Sequence, residues 1–166
     1  GGDNLIALHK WCSKKNISVS FTGIDNKKEC IDFARQQCRD LNAVWICSDY
    51  KQVSFTEEKP DIVFSSLFCH HFSNDDLVEI IKWMQQNSRI GFFINDLHRH
   101  WLAYHSIKII TSLFSKSYLV KNDAPVSVAR GFKKEEWMQL FNKAGIHQYE
   151  FNWKWAFRHL IVYRHG

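Results

Sequence analysis

The sequence predicts an α/β fold: a doubly wound, mostly parallel sheet closed by a C-terminal antiparallel hairpin. Three observations carry this expectation. Stretches with helical period alternate with short apolar runs along nearly the whole chain, as in sheets whose parallel strands are joined by helices. The run Asp61-Ile62-Val63-Phe64-Ser65-Ser66-Leu67-Phe68 is almost continuously apolar, which suits a strand covered on both faces. Ile146 to Trp155 and Phe157 to Tyr163 then read as two strands close enough to pair as a hairpin.

The elements follow in order. Gly1-Gly2 runs into a helix that Asp3 can cap, with Leu5, Ile6, Leu8 and Cys12 on one face. Ile17, Val19 and Phe21 alternate with polar residues in a strand ending at Gly23-Ile24-Asp25. A second helix runs from Asn26 to about Arg39, and a short strand from Ala43 to Cys47 ends at Ser48-Asp49-Tyr50. Pro60 introduces the apolar strand. Ser73-Asn74-Asp75-Asp76 is a helix start, a cap followed by acids, with Leu77, Ile80, Ile81 and Met84 facing inward. Arg89 to Ile94 is a further strand, followed by turn residues Asn95-Asp96 and a helix from Trp101 to Phe114. Ser115 to Phe132 has no period and is expected to be a lid-like loop. Lys133 to Ala144 is an amphipathic helix stopped by Gly145, with Trp137, Leu140 and Phe141 inward.

Glycines entering a helix, followed about twenty residues later by an acid at a strand end, form the back half of a nucleotide-binding βαβ unit. The strand leading into those glycines is expected to be missing from the chain, which otherwise reads as one domain over residues 1–166. Thirteen Phe and seven Trp exceed what a core of this size needs and suit a pocket for a flat or greasy ligand. The net charge of +5 is scattered and its longest cluster is Lys-Lys, which argues against a nucleic-acid partner. Five cysteines, odd in number and without a CxxC pair, read as buried thiols in a reducing, cytoplasmic compartment. No apolar run is long enough to span a membrane.

Taken in this order, the motifs resemble the class I S-adenosylmethionine-dependent methyltransferases, with a Rossmann-like fold. Gly1-Gly2-Asp3 is similar to the end of the family's glycine loop, and Gly23-Ile24-Asp25 to its second strand with the ribose-binding acid. Ser48-Asp49-Tyr50 sits where an acid meets the adenine amino group. Asp61 through Phe72, ending Cys69-His70-His71-Phe72, resembles the fourth-strand motif, and Glu135 through Ile146 the late helix with its Ala-Gly stop. Asn95 to Arg99, Asn122-Asp123 and Ser127 to Arg130 look like a bacterial subgroup that tailors quinones and polyketides. The departure from the family pattern is the absent first strand and first glycine.

The resemblance implies S-adenosyl-L-methionine as cofactor. Gly1, Gly2, Asp3, Asp25, Asn26, Ser48, Asp49, Tyr50, Ser65, Ser66 and Leu67 would bind it. It also implies a small aromatic or lipid-like acceptor, methylated on oxygen or carbon, and allows a homodimer. For Asp25 and Asp49 the plainer role is a helix cap or a turn; for Ser66 it is strand packing. His70 and His71 are candidate bases, because a free imidazole titrates near neutral pH, or they cap the next helix. His98 and Arg99 are the second catalytic pair, as base and anion clamp, or else a surface turn. His98, His100 and His105 lack ligand spacing for a metal. A non-catalytic binding module is the competing class. A nicotinamide oxidoreductase on a similar sheet is disfavoured because the closing hairpin fits it poorly. An RNA methyltransferase would need a basic stripe.

Overall fold

A computed structural model describes residues 2–55, 58–115 and 117–166, apart from the side chain of Leu119. The chain forms two compact units, residues 1–54 and 55–166.

In the first unit, α1 (Asp3–Lys14) buries Leu5 and Cys12, two helical turns apart on one face. Its cap is Gly2, in the left-handed region at φ 95°; Asp3 is the first helical residue, not the cap expected from the sequence, and places its acid in the first turn. A Cβ on Gly2 would strike the Cys38 sulfur, so packing against the next helix as well as backbone conformation requires glycine here. β1 (Phe21–Asp25) begins four residues later than the Ile17 alternation suggests. Its parallel partner β2 (Ala43–Cys47) is five residues long, and the register Phe21↔Ala43 to Asp25↔Cys47 uses all of it. α2 (Lys28–Gln37) buries Ile31 and Ala34.

The second unit holds a four-stranded sheet in the order β3-β4-β6-β5. β3 (Ile62–Ser66) lies parallel to β4 (Gly91–Leu97); β6 (Arg158–Arg164) runs antiparallel to both β4 and β5 (Glu150–Lys154). The expected C-terminal hairpin is present. Burial along β3 is partial, with Ile62 53% exposed, because β3 is an edge strand of this sheet and pairs on one side. β4 does not end at Ile94. Seven register pairs with β6, Gly91↔Arg164 to Leu97↔Arg158, carry the strand through Asn95 and Asp96, which therefore form no turn.

α3 (Asn74–Gln86) starts as expected, the Ser73 hydroxyl accepting from the Asp76 N–H. It buries Leu77, Ile80, Ile81 and Met84, while α6 (Lys134–Lys143) buries Trp137, Leu140 and Phe141. Phe92, Ile94 and Ile161 complete this core from the sheet. Each large side chain here contributes on the order of 2 kcal/mol by leaving water. Gly145, at φ 79°, ends the last helix turn.

The expected lid over residues 115–132 is instead helical. α4 (Trp101–Phe114) is followed by α5 (Tyr118–Arg130), whose cap Ser117 accepts from the Val120 N–H. Pro125 lies inside α5 and removes one helix hydrogen bond. Pro125 and Val128 are nevertheless buried, and α5 runs against α4, the Cys69–His71 turn and β4. Tertiary packing outweighs the local penalty.

Candidate functional site

In the second unit, the site is built at the carboxyl ends of two parallel strands. The β3–β4 ladder ends at Ser66↔Asn95, where the Asn95 amide donates to the Ser66 hydroxyl at 3.1 Å. Leu67 then adopts φ 52°, in the left-handed region, while its N–H is held by the Asn95 carbonyl at 2.9 Å. A non-glycine residue rarely takes this conformation, and such strain concentrates at sites where the chain must be aimed. Here it turns the next two amides toward β4.

What they meet is Asp96, fully buried on the face of β4 that also carries Phe92 and Ile94. One carboxylate oxygen accepts from the N–H groups of Phe68 and Cys69, at 2.9 and 2.6 Å. The other accepts from the Leu97 N–H at 2.7 Å and contacts His70 Nδ1 at 2.7 Å. A carboxylate with three amide donors acts as acceptor only, so His70 carries its proton on Nδ1 toward Asp96. That leaves Nε2 as the free end of a ring that is only 6% exposed. The His71 ring lies 4.2 Å from that of His70. Burial, and then the Asp96 charge, push the Cys69 thiol far above its ordinary range; Cys69 is packing, 3.6 Å from the Ser65 hydroxyl, not a nucleophile.

His70 lines a polar cleft of about 530 Å³ with His71, Ser73, Asn74, Arg99, Arg130 and Glu136. An aromatic cleft of about 550 Å³, lined by His100, Trp101, Tyr104, His105 and Val128 among others, shares Arg99 with it. Arg99 follows β4, with its N–H on the Phe132 carbonyl, and its guanidinium donates to Glu136 at 2.5 Å. The other Glu136 oxygen accepts from the Lys133 N–H at 2.7 Å. Burial opposes ionisation of Glu136, but the Lys133 amide and Arg99 outweigh it and hold the carboxyl below its usual range.

His98 lines neither cleft. Its N–H is bound by the Phe157 carbonyl, and its ring packs 4.4 Å from His159 and 5.4 Å from His100. Burial and then His100 lower its pKa. Burial and then His98 lower that of His159 to about 4. Both Nδ1 atoms are buried without a partner among the described residues. No group of three His, Cys, Asp or Glu among the described residues is arranged to hold a metal ion.

In the first unit, Asp25 and Asp49 stand at the adjoining carboxyl ends of β1 and β2, and the Ser48 N–H binds the Asp25 carbonyl at 3.0 Å. Each acid folds one oxygen back onto the amide two residues on at 2.9 Å, Asp25 onto Lys27 and Asp49, as the cap of a one-turn helix, onto Lys51. The second oxygen of each makes no hydrogen bond among the described residues. Asp25 does not cap α2, whose cap is Lys27. Asn26 is exposed beside it, and Tyr50 opens the one-turn helix Tyr50–Gln52. No side chain caps α1, and Gly1 lies outside the described residues. The two half-satisfied carboxylates can each accept a further hydroxyl or amino donor, while the start of α1 packs against Ala34 and Cys38 of the α2 end.

A family model described as a methyltransferase domain matches residues 1–91. The chain belongs to this methyltransferase family. Its solved relatives share the fold at low identity. The plantazolicin methyltransferase BpumL, in complex with SAH and a triazolic analog, is 16% identical with a TM-score of 0.71, over 96% of this chain and 72% of that one. The magnesium protoporphyrin IX methyltransferase of Synechocystis PCC 6803, with bound SAH, is 12% identical with a TM-score of 0.59, over 90% and 65%. A structure described as a possible exported protein from Bordetella parapertussis is 15% identical with a TM-score of 0.64, over 89% and 54%. The chain thus spans from about half to three quarters of those chains. A search of curated proteins finds no match. The fold is that of the class I S-adenosylmethionine-dependent methyltransferases, whose cofactor is S-adenosyl-L-methionine, as the SAH-bound neighbours illustrate. No helix among the described residues is long and apolar enough to cross a membrane.

The sequence points to His70 but not to what orients it. Asp96 carries the signature of a turn residue, although its alternation with Phe92 and Ile94 marks it as inward-facing. Glu136 has no signature at all, and it occupies the guanidinium expected to clamp an anion.

Proposed function

We propose that the protein transfers a methyl group from S-adenosyl-L-methionine to a small, aromatic or lipid-like acceptor bearing an ionisable hydroxyl or acidic C–H. The observation that carries this is the buried Asp96–His70 pair opening onto the polar cleft. Both units are read as one methyltransferase domain over residues 1–166. Gly1, Gly2, Asp3, Asp25, Asn26, Ser48, Asp49 and Tyr50 bind the cofactor in this reading, with Asp25 on the ribose diol and Asp49 on the adenine amino group. Ser65, Ser66 and Leu67 line the path to the reacting centre. When bound, the cofactor supplies an electrophilic methyl on a sulfonium.

The chain's own work is alignment and one proton. The aromatic cleft takes the apolar body of the acceptor, and Arg99, held by Glu136, forms the wall between body and reacting end. Proximity of this kind supplies several kcal/mol, up to roughly 7–11. The proton that the acceptor gives up would go to His70 Nε2. Asp96 fixes the tautomer and stabilises the imidazolium that results. His98, packed against His159, supports the wall and is not the base, and His71 screens the His70 ring from water. The five free cysteines favour a reducing, cytoplasmic setting; a homodimer is tested by sedimentation.

The test is S-adenosylhomocysteine release over a panel of phenolic and isoprenoid-tailed acceptors. We expect turnover, and a His70→Gln variant with a kcat lower by about 100-fold or more but unchanged S-adenosylhomocysteine affinity. Equal turnover by wild type and H70Q would remove the base assignment. Cofactor binding without turnover on any acceptor would favour a binding module.

A further inference from the structure

The polar cleft beside His70 carries an uncompensated positive charge. Two of its three ionised side chains cancel: Arg99 and Glu136 pair at 2.5 Å. The third, Arg130, is the last residue of α5 and lines the same cleft, yet it makes no ion pair or hydrogen bond among the described residues. α5 packs against the turn that holds His70, and Arg130 and His70 line one cleft. Asn74 also lines the cleft, and its side-chain amide makes no hydrogen bond among the described residues. The acids Asp75 and Asp76 do not line it. The buried His70 also lines it, with its Nδ1 taken by Asp96.

A cleft with a net positive charge and a buried imidazole is mismatched to a neutral acceptor and complementary to an acid. We propose that Arg130 binds a carboxylate of the acceptor, so that the substrate is a small aromatic or unsaturated acid whose reacting hydroxyl reaches His70. This rests on the polar cleft being the acceptor site. The sequence points to Arg99 as the anion clamp; Glu136 occupies that guanidinium, and Arg130 takes the role instead. The competing cation is Lys133, which lines the aromatic cleft.

Equilibrium binding of 4-hydroxybenzoate and 4-hydroxybenzamide, followed by ligand-observed NMR, tests this without turnover. The pair differs in charge and little in shape. We expect the acid to bind about fivefold more tightly than the amide, the range of a partly exposed ion pair. The preference should vanish in Arg130→Gln, survive in part in Arg130→Lys, persist in Lys133→Gln, and shrink as salt rises. Equal affinities in the wild type, a preference that persists in R130Q, one lost in K133Q but kept in R130Q, or no binding of the acid at millimolar concentration would each overturn the proposal. Because the readout is binding, an enzyme that methylates neutral acceptors but shows no preference refutes Arg130 while leaving methyl transfer intact.

Discussion

Replacing Asp96 by Asn keeps the shape of the side chain and removes half of its acceptor capacity. The structure sets the magnitude. Four donors converge on the carboxylate: the amides of Phe68, Cys69 and Leu97, and His70 Nδ1, between 2.6 and 2.9 Å. An amide side chain offers one oxygen. Whichever way it is turned, two donors face its NH2 group in a site with no exposure. Each stranded buried donor costs about 1–3 kcal/mol, so D96N should lose roughly 2–6 kcal/mol, against a total stability of about 5–15 kcal/mol. The assay is urea unfolding followed by tryptophan fluorescence. A double-mutant cycle with His70→Gln isolates the pair, with an expected coupling of about 1.5–3 kcal/mol. A D96N loss below about 1 kcal/mol, or a coupling near zero, would refute the account of Asp96 as the hub.

Three further outcomes follow from the geometry. His159 is held neutral, with its pKa lowered to about 4, so the unfolded chain binds a proton that the folded one refuses between about pH 6.5 and pH 4. Its stabilising contribution is complete above pH 6.5 and falls by about 3 kcal/mol as the pH drops to 4; urea unfolding of His159→Leu should show a flatter pH profile, and an unchanged slope would contradict this. Gly23→Ala should cost about 1–3 kcal/mol, because the new Cβ meets the Trp45 ring across the β1–β2 ladder; a neutral melting temperature would show that Trp45 swings away. Ser73→Ala should lose about 1 kcal/mol through the α3 cap, and an unchanged urea midpoint would dismiss that cap.

The strongly periodic parts of this chain are legible in its sequence. Leu77, Ile81 and Met84, and Trp137 with Phe141, announce their helices because the buried stripe repeats at helical spacing. β2 is legible to the residue. The failures have local causes. α5 is hidden by Pro125 and by apolar residues spread around the helix instead of along one stripe; it exists because α4 and the His70 turn pack against it. β4 reads short because Asn95-Asp96 carries turn chemistry, while the ladder to the distant β6, in the register Asn95↔Leu160, overrides it. In the candidate site, His70 and Arg99 are visible as residue types at a strand end. Their partners are not, since Asp96 and Glu136 are brought to them by sheet register and helix packing from 26 and 37 residues away. The left-handed Leu67 that aims the His70 turn has no sequence signature at all.

The central claim is that this chain is a methyltransferase whose Asp25 reads the cofactor's ribose, and calorimetric titration with S-adenosylhomocysteine addresses it most directly. With one Asp25 oxygen on the Lys27 amide and the other unpaired among the described residues, a ribose hydroxyl gains a charge-assisted hydrogen bond of about 1.5–3 kcal/mol. The account predicts saturable binding of S-adenosylhomocysteine, none of NAD, and an Asp25→Ala variant that folds normally but binds about tenfold to more than a hundredfold more weakly. Tight NAD binding, or S-adenosylhomocysteine affinity that is the same in wild type and D25A, would contradict it.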